Sequence, residues 1–130
     1  MKPKYKWLRM KSVYTGVDYL KDENGDYISW LTEMPDHWCR VFGEQMADEL
    51  NELLIKYNYA DQYEILQIKE KFGSLRWYDG GYLPEMRDEY LAILNRYEVL
   101  SENTCISCGE PATHMATGWT IPLCDECDKK

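Results

Sequence analysis

Basic residues are scarce in this sequence outside its first eleven positions. Fifteen lysines and arginines stand against 23 aspartates and glutamates, for a formal net charge of −8, although residues 1–11 hold five basic residues and no acid. Lys and Arg provide non-specific affinity for nucleic acid by displacing counterions, whereas an acidic surface suits a basic patch on another protein. We therefore expect a protein partner with a basic surface. Nucleic-acid contact would be confined to residues 1–11, where Tyr5 and Trp7 could stack on bases.

Long apolar runs are absent as well. No stretch approaches the roughly eighteen apolar residues of a membrane span. Residues 1–11 scatter charges among aromatic residues and lack the apolar centre of a secretory signal peptide. We therefore expect no membrane association and a cytoplasmic location.

The motifs of common catalytic sites are also missing. Neither of the two histidines, His37 and His114, begins the H-x-E motif of nucleobase deaminases, and Pro122 lies one residue too early for the accompanying P-C-x-x-C. The same two histidines do not fit the arrangement of an HNH-type nuclease. The metalloprotease motif H-E-x-x-H, the P-loop and G-x-G-x-x-G do not occur. We expect that the protein is not an enzyme.

Four of the five cysteines form a metal-binding pattern near the C-terminus. Cys105 and Cys108 form one C-x2-C pair, and Cys124 and Cys127 form a second pair fifteen residues later. This spacing is typical of a structural zinc site, in which two tight turns direct four thiolates at one tetrahedral ion. Two disulfides are the alternative, but these belong to oxidising compartments. We predict one structural Zn2+, whose closed ligand set leaves no open position for catalysis.

Two other potential ligands lie outside this pattern. His114 lies between the two cysteine pairs and could replace one cysteine, although four thiolates already complete a site. Cys39 is distant in sequence, next to Trp38, and we expect it to be a buried thiol.

Alternating and helical hydrophobic patterns predict an α+β fold. Two antiparallel hairpins form a sheet, two helices pack on it, and a four-cysteine zinc-ribbon module follows at the C-terminus. Gly43 weakens the first helix, so that two shorter helical pieces are an alternative. The predicted strands are Val13–Leu20 and Tyr27–Leu31, joined by a turn at 22–26, and Tyr63–Lys69 and Ser74–Asp79; the predicted helices are Pro35–Asn58 and Pro84–Glu102.

The same patterns divide the chain into three parts. Residues 1–11 form a basic N-terminal tail, residues 12–102 an α+β domain, and residues 103–130 a zinc-ribbon module. No Gly-, Ser- or Pro-rich linker precedes the module, so we expect it to be docked on the domain.

The second hairpin carries the densest group of candidate binding residues. Strand alternation places Leu75 and Trp77 on one face and Arg76 and Tyr78 on the other. Since Arg and Tyr are enriched in binding hot spots, the candidate partner-binding residues are Arg76, Tyr78, Asp79 and Tyr82. The alternative is a structural hairpin that buries Trp77 while Arg76 reaches towards solvent.

The loop between the cysteine pairs contains one more conspicuous aromatic residue. Residues 117–123 are predicted to form the strand that leads to the second cysteine pair, and Trp119 to pack over the zinc turns. If Trp119 instead faced solvent, it could stack on a base.

The chain resembles a group of small uncharacterised proteins encoded by phages, prophages and other bacterial mobile elements. The resemblance spans about residues 30–130 and rests on two motifs. These are IKEKFGSLRWY at residues 68–78, and CISCG, GW and LCDEC at 105–109, 118–119 and 123–127. The resemblance implies a mobile-element setting and the cytoplasm of a bacterial host, but no activity or residue roles.

These expectations lead to two hypotheses. The first is a non-catalytic, zinc-stabilised interaction protein that binds and inhibits a host protein, for example one of anti-phage defence. The alternative is a zinc-ribbon accessory or regulatory factor that binds nucleic acid.

Overall fold

A long helical segment and a β-hairpin form the centre of the fold. The computed structural model describes residues 2–12, 16 and 18–129. These residues form a mixed α+β structure with two two-stranded antiparallel sheets, which confirms the predicted fold class. The helices are α1 Asp36–Trp38, α2 Glu44–Lys56, α3 Arg87–Glu102 and α4 Asp125–Asp128, and the strands are β1 Ile65–Lys71, β2 Ser74–Asp79, β3 His114–Met115 and β4 Pro122–Leu123. Short 3-10 turns span Lys6–Leu8, Trp30–Glu33 and Pro84–Met86.

The first helical segment is continuous but changes its pitch. A π-helical turn, Cys39–Gly43, joins α1 to α2 at the position where glycine weakens the sequence pattern. A Cβ at Gly43 would lie 3.2 Å from the Cys39 sulfur, so glycine provides the room for this turn. The segment ends before Asn58, which adopts a left-handed φ of 53°. Apolar residues recur at three- and four-residue spacing along the predicted helix, and they face the core. Six of them are at most 5% exposed and the last is half-buried, namely Trp38, Phe42, Met46, Leu50, Leu53 and Leu54, and then Tyr57.

The second predicted hairpin is present and closes through a two-residue turn. β1 and β2 pair from Lys71 with Ser74, and Phe72 and Gly73 connect them with φ values of 54° and 82°. Positive φ at both central positions identifies a type I′ turn, whose twist matches that of the strands. β1 begins at Ile65, two residues later than predicted, and a β-bulge follows directly.

Helix α3 covers β2 and connects the hairpin to α2. The Leu75 N–H donates to Ser101 Oγ over 2.9 Å, and an Arg76 nitrogen lies 3.5 Å from a Glu98 oxygen. On the other side, Tyr97 donates a hydrogen bond to Glu49 of α2. Most of the predicted stripe of α3 is buried or half-buried, but Leu100 in the last turn is 37% exposed.

Residues 2–11 pack against the body of the fold and contribute three side chains to the core, although the sequence pattern predicts a basic tail. Trp7, Leu8 and Met10 are at most 9% exposed. The Trp7 indole donates to Asn51 Oδ1 over 3.0 Å, and Lys4 forms a 3.0 Å ion pair with Asp48. The alternation of lysines with apolar residues therefore reflects a segment with one buried side and one solvent-facing side. Trp7 is consequently not available to stack on a base.

The first predicted hairpin is replaced by isolated bridges over its described part. Residues 13–15 and 17 of the strand predicted at Val13–Leu20 lie outside the described residues. Lys21 pairs with Tyr27 across the expected turn. The Met10 N–H, however, donates to the Ile28 carbonyl over 2.8 Å. The N-terminal segment thus uses a backbone group of the second predicted strand.

The strand predicted at Tyr27–Leu31 is wrong at its C-terminal end. Trp30–Glu33 form a 3-10 turn, because the Ser29 side chain accepts a hydrogen bond from the Leu31 N–H and caps it. Trp30 and Leu31 are nevertheless buried, as expected of the apolar residues in this stretch.

Candidate metal centre and exposed aromatic surface

The four C-terminal cysteines come together in one cluster. Their sulfur atoms all lie within 4.8 Å of one another, and the sulfurs of Cys108 and Cys124 are 3.7 Å apart. All are free thiols. Cys105 is fully buried and the other three are half-buried. The cluster can therefore hold a metal ion, and it consists of the four cysteines of the predicted site, Cys105, Cys108, Cys124 and Cys127.

Backbone hydrogen bonds shape the two turns that position these thiols. In the first turn, the Gly109 N–H donates to the Cys105 carbonyl over 2.8 Å, and Gly109 has a positive φ of 84°. The second pair begins helix α4, where the Asp128 N–H donates to the Cys124 carbonyl over 3.1 Å. The Ile106 N–H donates to the Pro122 carbonyl over 2.9 Å and joins the two turns.

The thiols differ in how readily they ionise. Burial opposes ionisation of Cys105, but backbone N–H groups of Cys124 and Ser107 stabilise its thiolate, and together with Cys108 they lower its pKa to about 7. The neighbouring sulfurs of Cys108 and Cys124 raise the pKa of Cys127 to about 12. Because a bound cation favours deprotonated ligands, four thiolates together are compatible with neutral pH only around a metal ion.

The module docks on the π-helical turn of the first helical segment. The Trp38 indole donates to the Thr104 carbonyl over 2.9 Å, and Arg40 donates to the Cys108 carbonyl over 2.7 Å. Any side chain at Gly109 would collide with Arg40 and Val41. These contacts hold the first cysteine turn directly against the core.

Neither of the other two potential ligands joins the cluster. His114 Nε2 lies 2.7 Å from an Asp128 oxygen, and its Nδ1 lies 2.8 Å from Thr113 Oγ1. Cys39 is half-buried beneath Gly43, and burial raises the pKa of its thiol. Cys39 is thus a packing residue with little tendency to ionise.

Three of the four candidate partner-binding residues make contacts within the fold. Arg76 pairs with Glu98, and Asp79 accepts hydrogen bonds from the Gly81 N–H over 2.8 Å and the Tyr90 hydroxyl over 2.7 Å. Tyr82 packs on Tyr90 with ring centroids 4.7 Å apart.

Tyr78 is the most accessible of the four. It is 42% exposed, while its neighbour Leu75 is buried and Trp77 is half-buried on the opposite face. Ser74 and Arg76, which alternate onto the same face as Tyr78, contact Glu98 of α3, so the helix covers part of this face.

The most exposed aromatic residues lie elsewhere, at the hairpin tip and in the module. Phe72 is 71% exposed, Trp119 is 74% exposed and Met115 is 40% exposed. We call the two aromatic residues together with Met115 the aromatic patch. The prediction that Trp119 packs over the metal turns is wrong. Only Pro122 and Leu123 form the strand expected at 117–123, and these two residues occupy the buried positions.

The two halves of the aromatic patch meet where the hairpin touches the module. A Cβ at Gly73 would lie 3.0 Å from both the Met115 sulfur and the Thr120 carbonyl oxygen. Phe72 and Trp119 are the sequence neighbours of this contact. The sequence signal that could have indicated this surface was the Phe72-Gly73 pair between two strand patterns. A type I′ turn at this pair requires a positive φ at Phe72, and the tip of a hairpin exposes its side chains.

Comparison with models of known protein families, with curated proteins and with solved structures finds no match to this chain. Within the described residues, no helix has both the length and the apolar character needed to cross a membrane. The site is therefore interpreted from the residues of this chain alone.

Proposed function

We propose that this is a non-catalytic, zinc-stabilised interaction protein of phage or mobile-element origin, which binds and inhibits a protein of the bacterial host. The aromatic patch carries the proposal, because it presents two large exposed rings, Phe72 and Trp119, that directly adjoin in sequence the contact of Gly73 with Thr120. Large aromatic side chains are enriched at the centres of protein interfaces.

Zinc is the proposed metal. Four sulfurs at ~2.3 Å from a tetrahedral Zn2+ lie roughly 3.8 Å apart, and the 3.7 Å between Cys108 and Cys124 fits this geometry. An all-thiolate tetrahedral set favours Zn2+ over oxygen-seeking ions. Elemental analysis of the purified chain should give one zinc per molecule, and iron in its place would contradict the assignment.

The conformation of Phe72 supports a role outside the folded chain. Phe72 adopts a left-handed φ of 54°, which is unfavourable for a residue with a bulky side chain. Its ring is 71% exposed, so burial within the chain does not offset this strain. Strained residues of this kind cluster at functional sites, and a partner that covers the ring would provide the missing contacts.

The charge of the module, which carries Trp119 and Met115 of the patch, favours a basic partner. Residues 103–130 hold four acids and two lysines, and a zinc tetrathiolate would add two further negative charges. His114 and Lys129 pair with acids within this segment, but Glu110 forms no ion pair among the described residues. The complex should therefore weaken as salt screens the attraction.

Capture from a nuclease-treated host lysate, with mass spectrometry of the retained proteins, tests the proposal. The wild type should retain one stoichiometric protein, and Trp119→Ser and Phe72→Asn should each lose it. Ile55→Ser is the matched control, because Ile55 is 64% exposed on α2, outside the patch, and should leave capture unchanged.

Two results would count against this function. Retention of the same protein by all three variants would show that the aromatic patch is not the binding surface. Substrate turnover by the isolated chain, without any stable partner, would contradict a non-catalytic role.

The exposure of Trp119 also favours the second candidate function, a nucleic-acid accessory factor. An exposed aromatic ring can stack on a base, and Lys69 and Lys71 lie on the neighbouring hairpin. Deletion of residues 1–11 would remove core side chains, so Lys71→Gln is the better test. Binding of a single-stranded oligonucleotide should then fall less steeply with salt, by about one unit of slope for each phosphate that the variant no longer binds.

A further inference from the structure

A cavity opens beside the N-terminal segment, separate from the metal centre and the aromatic patch. Its volume is about 420 Å3, and none of the residues that line it is a cysteine. Small-molecule sites typically occupy about 300–1,000 Å3. Three aromatic residues with at most 8% exposure line its inner part, namely Trp7, Trp30 and Tyr63. The cavity therefore has the size and the apolar floor of a ligand site.

The outer part of the cavity carries an excess of uncompensated positive charge. Lys6, Arg9 and Lys11 line it, together with the acids Asp61 and Glu64. Lys11 forms a 3.2 Å ion pair with Glu64. Neither Lys6 nor Arg9 forms an ion pair with any acid among the residues that the structure describes. Three bases, Lys6, Arg9 and Lys11, against two acids, Asp61 and Glu64, leave the cavity lining with a net charge of +1. In a chain with a net charge of −8, this is a local exception that suits an anionic ligand.

The Arg9 side chain is held in place by aromatic rings. Its guanidinium carbon lies 4.2 Å from the centroid of Tyr27 and 5.8 Å from that of Tyr19, which also lines the cavity. Stacking on a ring restricts the guanidinium while its N–H donors stay free for a phosphate or carboxylate. Arg9 is thus oriented before any ligand arrives.

We propose that this cavity binds a 5′-mononucleotide. Lys6 and Arg9 would hold the phosphate, and the base would stack on the half-exposed ring of Tyr19 at the same cavity. Asp61 is exposed at the same cavity and can accept hydrogen bonds from base N–H groups, as the N1 and N2 donors of guanine allow. The combination of a fixed phosphate donor with ring surfaces distinguishes this ligand from a simple anion.

Calorimetric titration of the full metal-loaded chain with 5′-GMP, guanosine and inorganic phosphate tests the proposal. GMP should bind saturably, and guanosine and phosphate should each bind at least roughly tenfold more weakly, since each lacks one half of the contacts. Lys6→Gln should weaken GMP binding by roughly tenfold. Lys6 is exposed and unpaired among the described residues, so this change should leave the melting temperature unaltered.

Lys129→Gln is the matched control, because it removes one lysine from the C-terminal helix, which does not line the cavity. GMP binding should be unchanged in this variant. The proposal is overturned by the absence of saturable GMP binding at millimolar concentration. Equal affinity for inorganic phosphate and GMP, or an equal loss in both lysine variants, would overturn it as well.

The nucleotide can be free or the end of a strand, and a 5′-phosphorylated five-residue oligonucleotide distinguishes these sources. Binding tighter than that of GMP, and weakened by Lys6→Gln, would identify a strand end. Binding no tighter than that of GMP would identify the free nucleotide. Oligonucleotide binding that is insensitive to Lys6→Gln, without GMP binding, would overturn the site.

Discussion

The described residues of 2–102, which we call the body, enclose a core of twenty buried apolar and aromatic residues. The module at 103–129 buries only a few, chiefly Cys105, Pro122 and Leu123. Hydrophobic burial stabilises a fold in proportion to the apolar area removed from water. Burial can therefore sustain the body but not the module. The contacts of the module with Trp38 and Arg40 stabilise it, and a metal ion held by the four cysteines would add to this.

The same difference explains where exposed aromatic residues are found. In the body, large rings such as Trp38 and Tyr90 pack inside. In the module, the loop between β3 and β4 is too small to enclose an indole, and Trp119 stays in solvent. A metal ion at the cysteine cluster would allow this short segment to present an apolar side chain without a core beneath it.

The largest effect should come from removing a metal ligand. Cys105→Ser should unfold residues 103–129 while the body stays folded, because structural zinc supplies an apparent ~10 kcal/mol or more to small modules of this kind. Two-dimensional amide NMR should show loss of dispersion for the module alone. Cys39→Ser is the control, since Cys39 lies outside the cluster and this variant should keep its metal. Unfolding of the whole chain in Cys105→Ser would show that the two regions are one cooperative unit.

Truncation of a core side chain should instead destabilise the body. Leu50 is fully buried in α2, and Leu50→Ala should lower the free energy of unfolding by about 2–5 kcal/mol through reduced burial and a residual cavity. Denaturant unfolding followed by near-UV circular dichroism measures the change. Ile55→Ala on the same helix should stay within about 0.5 kcal/mol, because Ile55 is 64% exposed. Comparable losses in the two variants would contradict the assigned core.

The two regions should also respond to pH in opposite directions. Burial raises the pKa values of Tyr63 and Tyr90 above the ordinary value of 10. The folded body therefore keeps protons that the unfolded chain releases above pH 10, and its stability is present below pH 10 and falls above it. The slope should approach about 1.4 kcal/mol per pH unit for each tyrosine. The module should instead lose its metal in acid, because protons compete for the thiolates.

Urea midpoints at pH 8, 10 and 11 measure the loss of stability in alkali. Tyr63→Phe should make this loss smaller. This variant should also be less stable at pH 8 by about 1–3 kcal/mol, because the Trp77 indole loses its acceptor at 2.8 Å. An unchanged midpoint between pH 8 and 11 in the wild type would show that these tyrosines do not control alkaline stability.

The smallest effect is expected at the contact between the two regions. Phe72→Asn should stabilise the chain by about 1 kcal/mol or less, since Asn tolerates the left-handed conformation of a type I′ turn better than Phe does. Gly73→Ala should destabilise it, because φ is 82° and the new methyl group would press on Met115. Thermal melting compares the two variants. A marked loss of stability in Phe72→Asn would mean that the Phe72 ring serves the fold rather than a partner.

Much of the fold could be predicted because its signals are local. The Cys-x-x-Cys spacing depends on turns of a few residues, and the predicted ligands are those that cluster. The apolar periodicity around Leu50 and Tyr90 predicted which helix faces are buried, since that periodicity is a property of single helices.

Other features depend on contacts between distant segments and were missed for that reason. Residues 2–11 join the core through α2, about forty positions away, as in the bond from Trp7 to Asn51. The buried network in which Tyr63 contacts Tyr90, and Tyr90 contacts Asp79, joins three separate elements. The hydrogen bond from Tyr90 to Asp79 could not be read from the sequence, because the two residues lie on different elements.

By itself, the sequence determined the four thiol ligands, the second hairpin with its turn, and the α+β class, because ligand spacing, turn chemistry and hydrophobic periodicity act over short distances. Only the tertiary structure decided that Trp7 is buried and Trp119 exposed, and that Lys6 and Arg9 meet at one cavity. The exposure of a side chain depends on which remote segments pack against it, and no local pattern encodes that outcome.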